Sequence, residues 1–203
     1  MTKVFGIGLN KTGTKTLGMC LHRLGYRHSS YDLDLLEQVH QGELQGLRKV
    51  VDCHDSFEDW PYPLVFDQLD QLYPGSRFIL TRRRSPEVWL RSLEAHSLRT
   101  DPTEGTRTRT LVYGWPYPQL NRRAHQSLYE EHLTRVRSYF VRRPNDLLEV
   151  CWEEEANWEA LCTFLDLPFP SCPFPHANRA SPADPERLHL NLELIERWHE
   201  PCA

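Results

Sequence analysis

Apolar and polar positions along the chain follow two alternating periods. Lys3 to Ile7 reads as an apolar strand that breaks at Gly6 and Gly8, and the chain resumes as a helix with Leu17, Cys20, Leu21 and Leu24 at helical spacing. Gly25 closes that helix, and an acidic, N-capped second helix is expected from Asp32 to about Gln41. Val50-Val51-Asp52 suggests a short buried strand that would deliver His54, Asp55, Glu58 and Asp59 to a loop at its carboxyl end. From Pro63, the residues Val65, Leu69 and Leu72 mark a helix face that stops at Pro74-Gly75. Arg77 to Thr81 is a strand, and Ser85-Pro86-Glu87 opens a helix with Trp89, Leu93 and His96 on one side.

Residues 99–123 carry no clear period and read as a loop-like insertion, a lid over an acceptor or an ordinary surface excursion. Beyond it, Arg122 to Arg143 is the most helical segment, with Leu128, His132, Val136 and Phe140 four apart; His132 reads first as a packed core histidine and second as an acceptor-site residue. Leu147 to Val150 is a further strand, and Trp158, Leu161, Cys162 and Leu165 form a helix face. Pro168 to Pro175 suits an extended arm. A last amphipathic helix from Pro185 to His199 could close the core or support a homodimer contact. Strands alternating with helices through short connections imply an α/β, three-layer domain with a mainly parallel central sheet.

Composition narrows the partners more than the fold. A chain of 203 residues fits one domain, 1–203. A formal charge of −4 gives no global attraction for nucleic acid or an acidic membrane, so any anion site has to be local. No apolar run approaches the roughly 20 residues that cross a bilayer, and the first residues form a strand and not a signal segment, so a soluble, cytoplasmic protein is expected. Six cysteines without a C-x-x-C pair suggest neither a zinc knuckle nor a disulfide framework.

The chemistry concentrates in Gly8-Leu9-Asn10-Lys11-Thr12-Gly13-Thr14-Lys15-Thr16. A glycine-rich turn between a strand and a helix aims backbone N–H groups and the positive helix end at one point, where an anion binds. Gly8 and Gly13 have the separation of the nucleotide-triphosphatase loop, but Thr14 stands where that loop has lysine. Arg82-Arg83-Arg84 ends the later strand at a second strand-to-helix junction. Arginine offers a phosphate a planar fork of donors, and a hydroxyl at Ser92, two helical turns on, can point back to the same site. For two of these three arginines, a solvated basic edge is the plainer expectation.

Lys11-Thr12-Gly13-Thr14 resembles the 5′-phosphosulfate loop of the sulfotransferases, of the form K-[ST]-G-T-[ST], with Lys15 departing from the last position. Arg84-Ser85-Pro86 through Ser92 resembles the R-x-P-x-x-x-x-x-S element with which that family grips the 3′-phosphate of its donor. Phe57 to Pro61, Phe78 to Arg82 and Phe174 to Asn178 follow in the order of a little-characterised branch of the sulfotransferase-like P-loop superfamily, so the resemblance covers most of the chain.

The resemblance implies a P-loop-type fold, 3′-phosphoadenosine 5′-phosphosulfate (PAPS) as donor, and adenosine 3′,5′-bisphosphate (PAP) as product. The acceptor would be a small-molecule or glycan hydroxyl or amine, and the scheme requires no metal. Lys11 would stabilise charge on the oxygen bridging phosphorus and sulfur, while Thr12, Gly13 and Thr14, with Lys15 and Thr16 behind them, hold the 5′-phosphate. Arg84 and Ser92 would hold the 3′-phosphate. A general base is expected in the acidic cluster, Asp59 first and then Asp55, Glu58 and His54. Two rival readings remain at the level of sequence: a P-loop kinase or triphosphatase, which would use Lys15 with magnesium, and a non-catalytic binding protein on the same fold.

Overall fold

The structure, a computed structural model, describes residues 2–175 and 184–199. In chain order the elements are β1 (Val4–Gly6), α1 (Thr14–Arg23), β2 (His28–Ser29), α2 (Leu33–His40), α3 (Gln45–Cys53), β3 (Ser56–Phe57), α4 (Phe66–Leu72), β4 (Arg77–Thr81), α5 (Pro86–Ser97), α6 (Pro102–Tyr113), α7 (Arg122–Phe140), β5 (Leu147–Val150), α8 (Glu159–Leu165) and α9 (Pro185–His199). The chain divides into two compact units, one from 2–84 and 133–175, the other from 85–132 and 184–199.

The first unit holds an all-parallel sheet in the order β2-β3-β1-β4-β5. Parallel strands need both faces covered, and the pleat divides the side chains accordingly. On one face Phe5 sits in register with Phe57 and Phe78, its ring 4.9 and 5.5 Å from theirs, and Phe140 of α7 lies 4.9 Å from Phe78. On the other, Val4 and Ile79 pack with Leu17, Cys20 and Leu21 of α1 and Leu161 and Cys162 of α8, all within 1% of full burial. Helices therefore cover the sheet on both faces, giving the expected α/β layers.

Two segments depart from expectation. Val50-Val51-Asp52 is not a strand but the end of α3, whose buried residues Leu47 and Val51 are one helical turn apart. The strand is Ser56–Phe57, inside the acidic cluster, so that cluster straddles β3 and is not a loop beyond it. Residues 99–123 are not a loop either. Asp101 caps α6 by accepting from the N–H groups of Thr103 and Glu104, Pro102 takes the first helical position, and Gly114 ends the helix at φ 76°. The arm from Pro168 has no regular structure. It is fastened by Trp158 Nε1 donating to the Cys172 carbonyl (2.9 Å) and by Arg23 donating to that of Pro173 (2.8 Å). His176 to Asn178, the end of the late family-like string, lies outside the described residues.

In the second unit Trp89 of α5 stacks on Tyr129 of α7 at 4.6 Å and meets Tyr113 of α6 edge-on. Asn191 of α9 is wholly buried. It accepts from the Tyr117 hydroxyl (2.6 Å) and donates to the carbonyls of Leu98 and Thr100. His132 is buried in α7, in keeping with a core histidine.

Candidate active site

In a parallel sheet the strand carboxyl ends lie on one edge, where ligands of open α/β folds bind. Here that edge gathers the loop after β1, Glu58 and Asp59 after β3, the arginines after β4 and Trp152 after β5.

The loop from Ile7 to Gly13 is built from backbone. Lys11 and Gly13 both take positive φ, 69° and 98°. Gly13 is the N-cap of α1 and no side chain caps that helix, so its first N–H groups, of Thr14 and Lys15, have no helical acceptor and face outward. Thr12 fastens the loop by donating to the Leu9 carbonyl and bonding the Thr81 hydroxyl at the end of β4, both at 2.6 Å. That closeness requires Gly8, since a Cβ there would lie 2.1 Å from Thr81 Oγ1. Thr12, Gly13, Thr14 and Thr16 are buried, Lys11 is half-buried and Lys15 exposed.

The arginines divide in a way their sequence conceals. Arg82 binds Glu149 (2.7 Å) and Glu154 (2.9 Å). Arg83 donates to the Lys11 carbonyl (2.7 Å) and to Glu153 (2.9 Å), bracing the loop from outside. Neither is a solvated edge; charges some 70 residues apart in the chain have been brought together. The Arg84 backbone N–H donates to Glu153, but its guanidinium lies 3.6 Å from that carboxylate and is 62% exposed, so it can turn toward a phosphate. Ser92 is half-buried on α5, in the second unit.

The four candidate bases fall in three places. His54 and Asp55 precede β3, at the opposite edge of the sheet. His54 Nδ1 bonds the Val50 carbonyl at 2.9 Å. Arg27 grips both Asp55 oxygens at 2.8 and 3.1 Å, and this hydrogen bonding holds the carboxyl down to about 2. Glu58 is 2% exposed beneath α1, accepting from Ser30, with His28 Nε2 at 3.7 Å. Asp59, also at the carboxyl edge, is half-buried, whereas Glu58 is buried. The φ of Asp59 is 67°, one carboxylate oxygen accepts from the Trp60 N–H (2.9 Å), and Lys11 and Lys15 act on it electrostatically. Burial first, and the charge of Glu58 second, push its carboxyl up to about 7 against those lysines, into the range suited to taking a proton at neutral pH.

Trp152 was not singled out by sequence reasoning. Its indole N–H donates to the Gly13 carbonyl at 3.2 Å, and its ring lies 2.4 Å from where a Gly13 Cβ would be. Phe174 packs behind it at 5.2 Å. Nothing in the spacing of Trp152 reveals this, because it depends on β5 following β4 in the sheet.

No group of three or more histidine, cysteine or acidic side chains is arranged to hold a metal among the described residues, and no described helix is long and apolar enough to cross a membrane.

The sequence model of the family described as "Sulfotransferase domain" matches residues 3–183. A curated protein from Aspergillus versicolor, "Ava biosynthesis cluster protein M", is 27% identical over 213 residues, covering 86% of this chain and 80% of the relative.

Proposed function

The chain belongs to the sulfotransferase-domain family, and on that premise we propose that it moves a sulfuryl group from PAPS to a hydroxyl or amine of a small-molecule or glycan acceptor. The observation that carries this reading is the uncapped start of α1 behind a loop whose half-buried lysine is Lys11, two residues before Gly13, while Lys15 is turned to solvent. A triphosphate-cleaving loop would require the reverse arrangement.

In this reaction the backbone N–H groups at Gly13 to Thr16 hold the 5′-phosphate. Lys11 offsets the negative charge that grows on the phosphate oxygen as the S–O bond breaks. The Arg84 fork holds the 3′-phosphate. Asp59 takes the acceptor's proton as the new O–S or N–S bond forms, and PAP leaves. The placement of Trp152 gives the donor an aromatic wall beside its phosphates. The described residues supply Lys11 and helix N–H groups where a magnesium ion would otherwise neutralise charge. The relative's printed connection to a biosynthetic cluster favours a small-molecule acceptor over a glycan.

Calorimetric titration with PAP, in wild type, Lys11→Ala and Arg84→Ala, with magnesium ATP in parallel, tests the reading. Wild-type binding of PAP weakened by both substitutions is expected. Binding of magnesium ATP without any response to PAP would overturn it, and no binding of either nucleotide would favour a non-catalytic role.

A further inference from the structure

Two residues of the loop after β1 take the left-handed backbone, and they are unequally suited to it. Gly13, at φ 98°, adopts it freely, whereas Lys11, at φ 69°, carries a Cβ that crowds the following carbonyl. A residue with a side chain persists in that conformation where its surroundings over-determine it.

The ties that do so come from outside the loop. Each left-handed residue has its carbonyl bonded by a side chain from a neighbouring strand end. Arg83, after β4, donates from Nε to the Lys11 carbonyl at 2.7 Å, and Trp152, after β5, donates from Nε1 to that of Gly13 at 3.2 Å. The bond to Lys11 is given by a cation and is the stronger kind. It fixes the plane of the peptide that joins Lys11 to Thr12. Thr12 in turn is fastened within the loop, its N–H and its hydroxyl both donating to the Leu9 carbonyl.

Arg83 is itself held. Its Nη1 donates to Glu153 at 2.9 Å, and that carboxylate also accepts from the Arg84 N–H at 3.0 Å. The Arg83 and Glu153 side chains are only 19% and 17% exposed, so their attraction is weakly screened. Burial works against a charged Glu153, yet the Arg84 N–H and Arg83 hold its carboxyl below the ordinary range. Glu153 follows Trp152 in the chain. One segment after β5 thus supplies both the tie on Gly13 and the counter-ion that aims Arg83 at Lys11. The donor chemistry above gives Arg83 no part: Arg84 is 62% exposed and can turn to a phosphate, while Arg83 is committed to a carbonyl and a carboxylate.

We propose that Arg83 is a positioning residue for Lys11, holding the left-handed turn that sets where the lysine ammonium stands, with Glu153 aiming it. This rests on the donor reading, in which Lys11 meets the 5′-phosphosulfate.

The test is a cycle of substitutions read by calorimetric titration with PAP. Arg83→Gln, which removes the charge and the fork, should weaken binding about 20-fold, and Arg83→Lys, which keeps the charge, about fivefold. Lys11→Gly supplies the decisive background. Glycine takes φ 69° without help and brings no ammonium to place, so there Arg83→Gln should weaken binding less than about twofold. An arginine that merely supports the fold would weaken binding equally in both backgrounds. That result would overturn the proposal, as would full affinity in both Arg83→Gln and Arg83→Lys. If circular dichroism shows Arg83→Gln unfolded, Arg83→Lys takes its place, and its loss must vanish in Lys11→Gly. A second measurement needs no nucleotide. The Thr12 N–H, which donates to Leu9 at 3.3 Å, should exchange at least about fivefold faster by NMR in Arg83→Gln, and faster also in Arg83→Lys, than in wild type. If the wild type does not bind PAP, the donor reading fails and this exchange decides the proposal: an unchanged rate overturns it, and a faster one upholds the hold on Lys11.

Discussion

Two strand-to-helix junctions follow neighbouring strands of one sheet, and they differ in what they present. After β1 the chain enters α1 through Gly13, in a left-handed conformation and without a side-chain cap, so backbone N–H groups face outward. After β4 it enters α5 through Ser85, whose hydroxyl accepts from the Val88 N–H (3.3 Å), with Pro86 at the first helical position lacking an N–H. The second helix start is thus satisfied internally, and the group proposed to grip an anion there is a side chain, Arg84. On the proposed reading, one junction would bind through conformation and the other through chemistry. Conformation tolerates no substitution at its pivot, whereas chemistry depends on one removable group.

The largest effect should come from breaking the first junction. In Gly13→Ala the added Cβ meets both an unfavourable φ of 98° and the Trp152 ring at 2.4 Å, so PAP affinity should fall by about 100-fold or more by calorimetry. Next is the proposed base beside it. Asp59→Asn should lower kcat by roughly 10²- to 10⁴-fold, and the wild-type rate should rise with pH through the folded-state pKa of about 7. The sign for stability is opposite. A carboxyl whose pKa is raised by folding favours the folded state at low pH and disfavours it as pH climbs through that value, so Asp59→Asn should raise Tm at pH 8 and have little effect at pH 4.

Arg84→Ala sharpens the contrast. It should cost roughly 10- to 30-fold in PAP affinity and leave adenosine 5′-phosphosulfate, which lacks the 3′-phosphate, nearly unaffected. A smaller loss is expected from Asp55→Asn. Folding depresses the pKa of Asp55, so its contribution is present at neutral pH and disappears as pH falls toward 2. Thermal melts should show the variant less stable than wild type at pH 7 and level with it near pH 2, with PAP binding intact. Ser85→Ala should have the least effect, about 1 kcal/mol in thermal unfolding.

The first junction was legible because its signals are local: a strand, two glycines and a helical apolar stripe. β4, α5, α7, β5 and the bounds of α9 were legible for the same reason. The failures share a cause in packing. Val50 and Val51 have strand propensity, yet the decisive contacts are those of Leu47 and Val51 as one helix face, and β3 is two residues long, too short to show a period. α6 lacks an apolar stripe because part of its surface is turned to a cavity, although its cap, Asp101, and Pro102 were in plain view. At the site, sequence could rank Asp59 above Asp55 but could not show that they stand at opposite edges of a strand. It could count arginines but not find Glu149, Glu153 and Glu154, which hold two of them.

The chain order of the first unit also has a consequence for biosynthesis. β4 pairs with β5 through four residue pairs, yet the 48 residues from Ser85 to His132 are translated between them and belong to the other unit. On the ribosome β4 is therefore a bare outer strand for several seconds at typical elongation rates of about 5–20 residues per second, with its aromatic face awaiting Phe140. That interval is when the nascent chain is most vulnerable to aberrant pairing, and a chaperone that shields β4 during it should raise the yield of soluble protein.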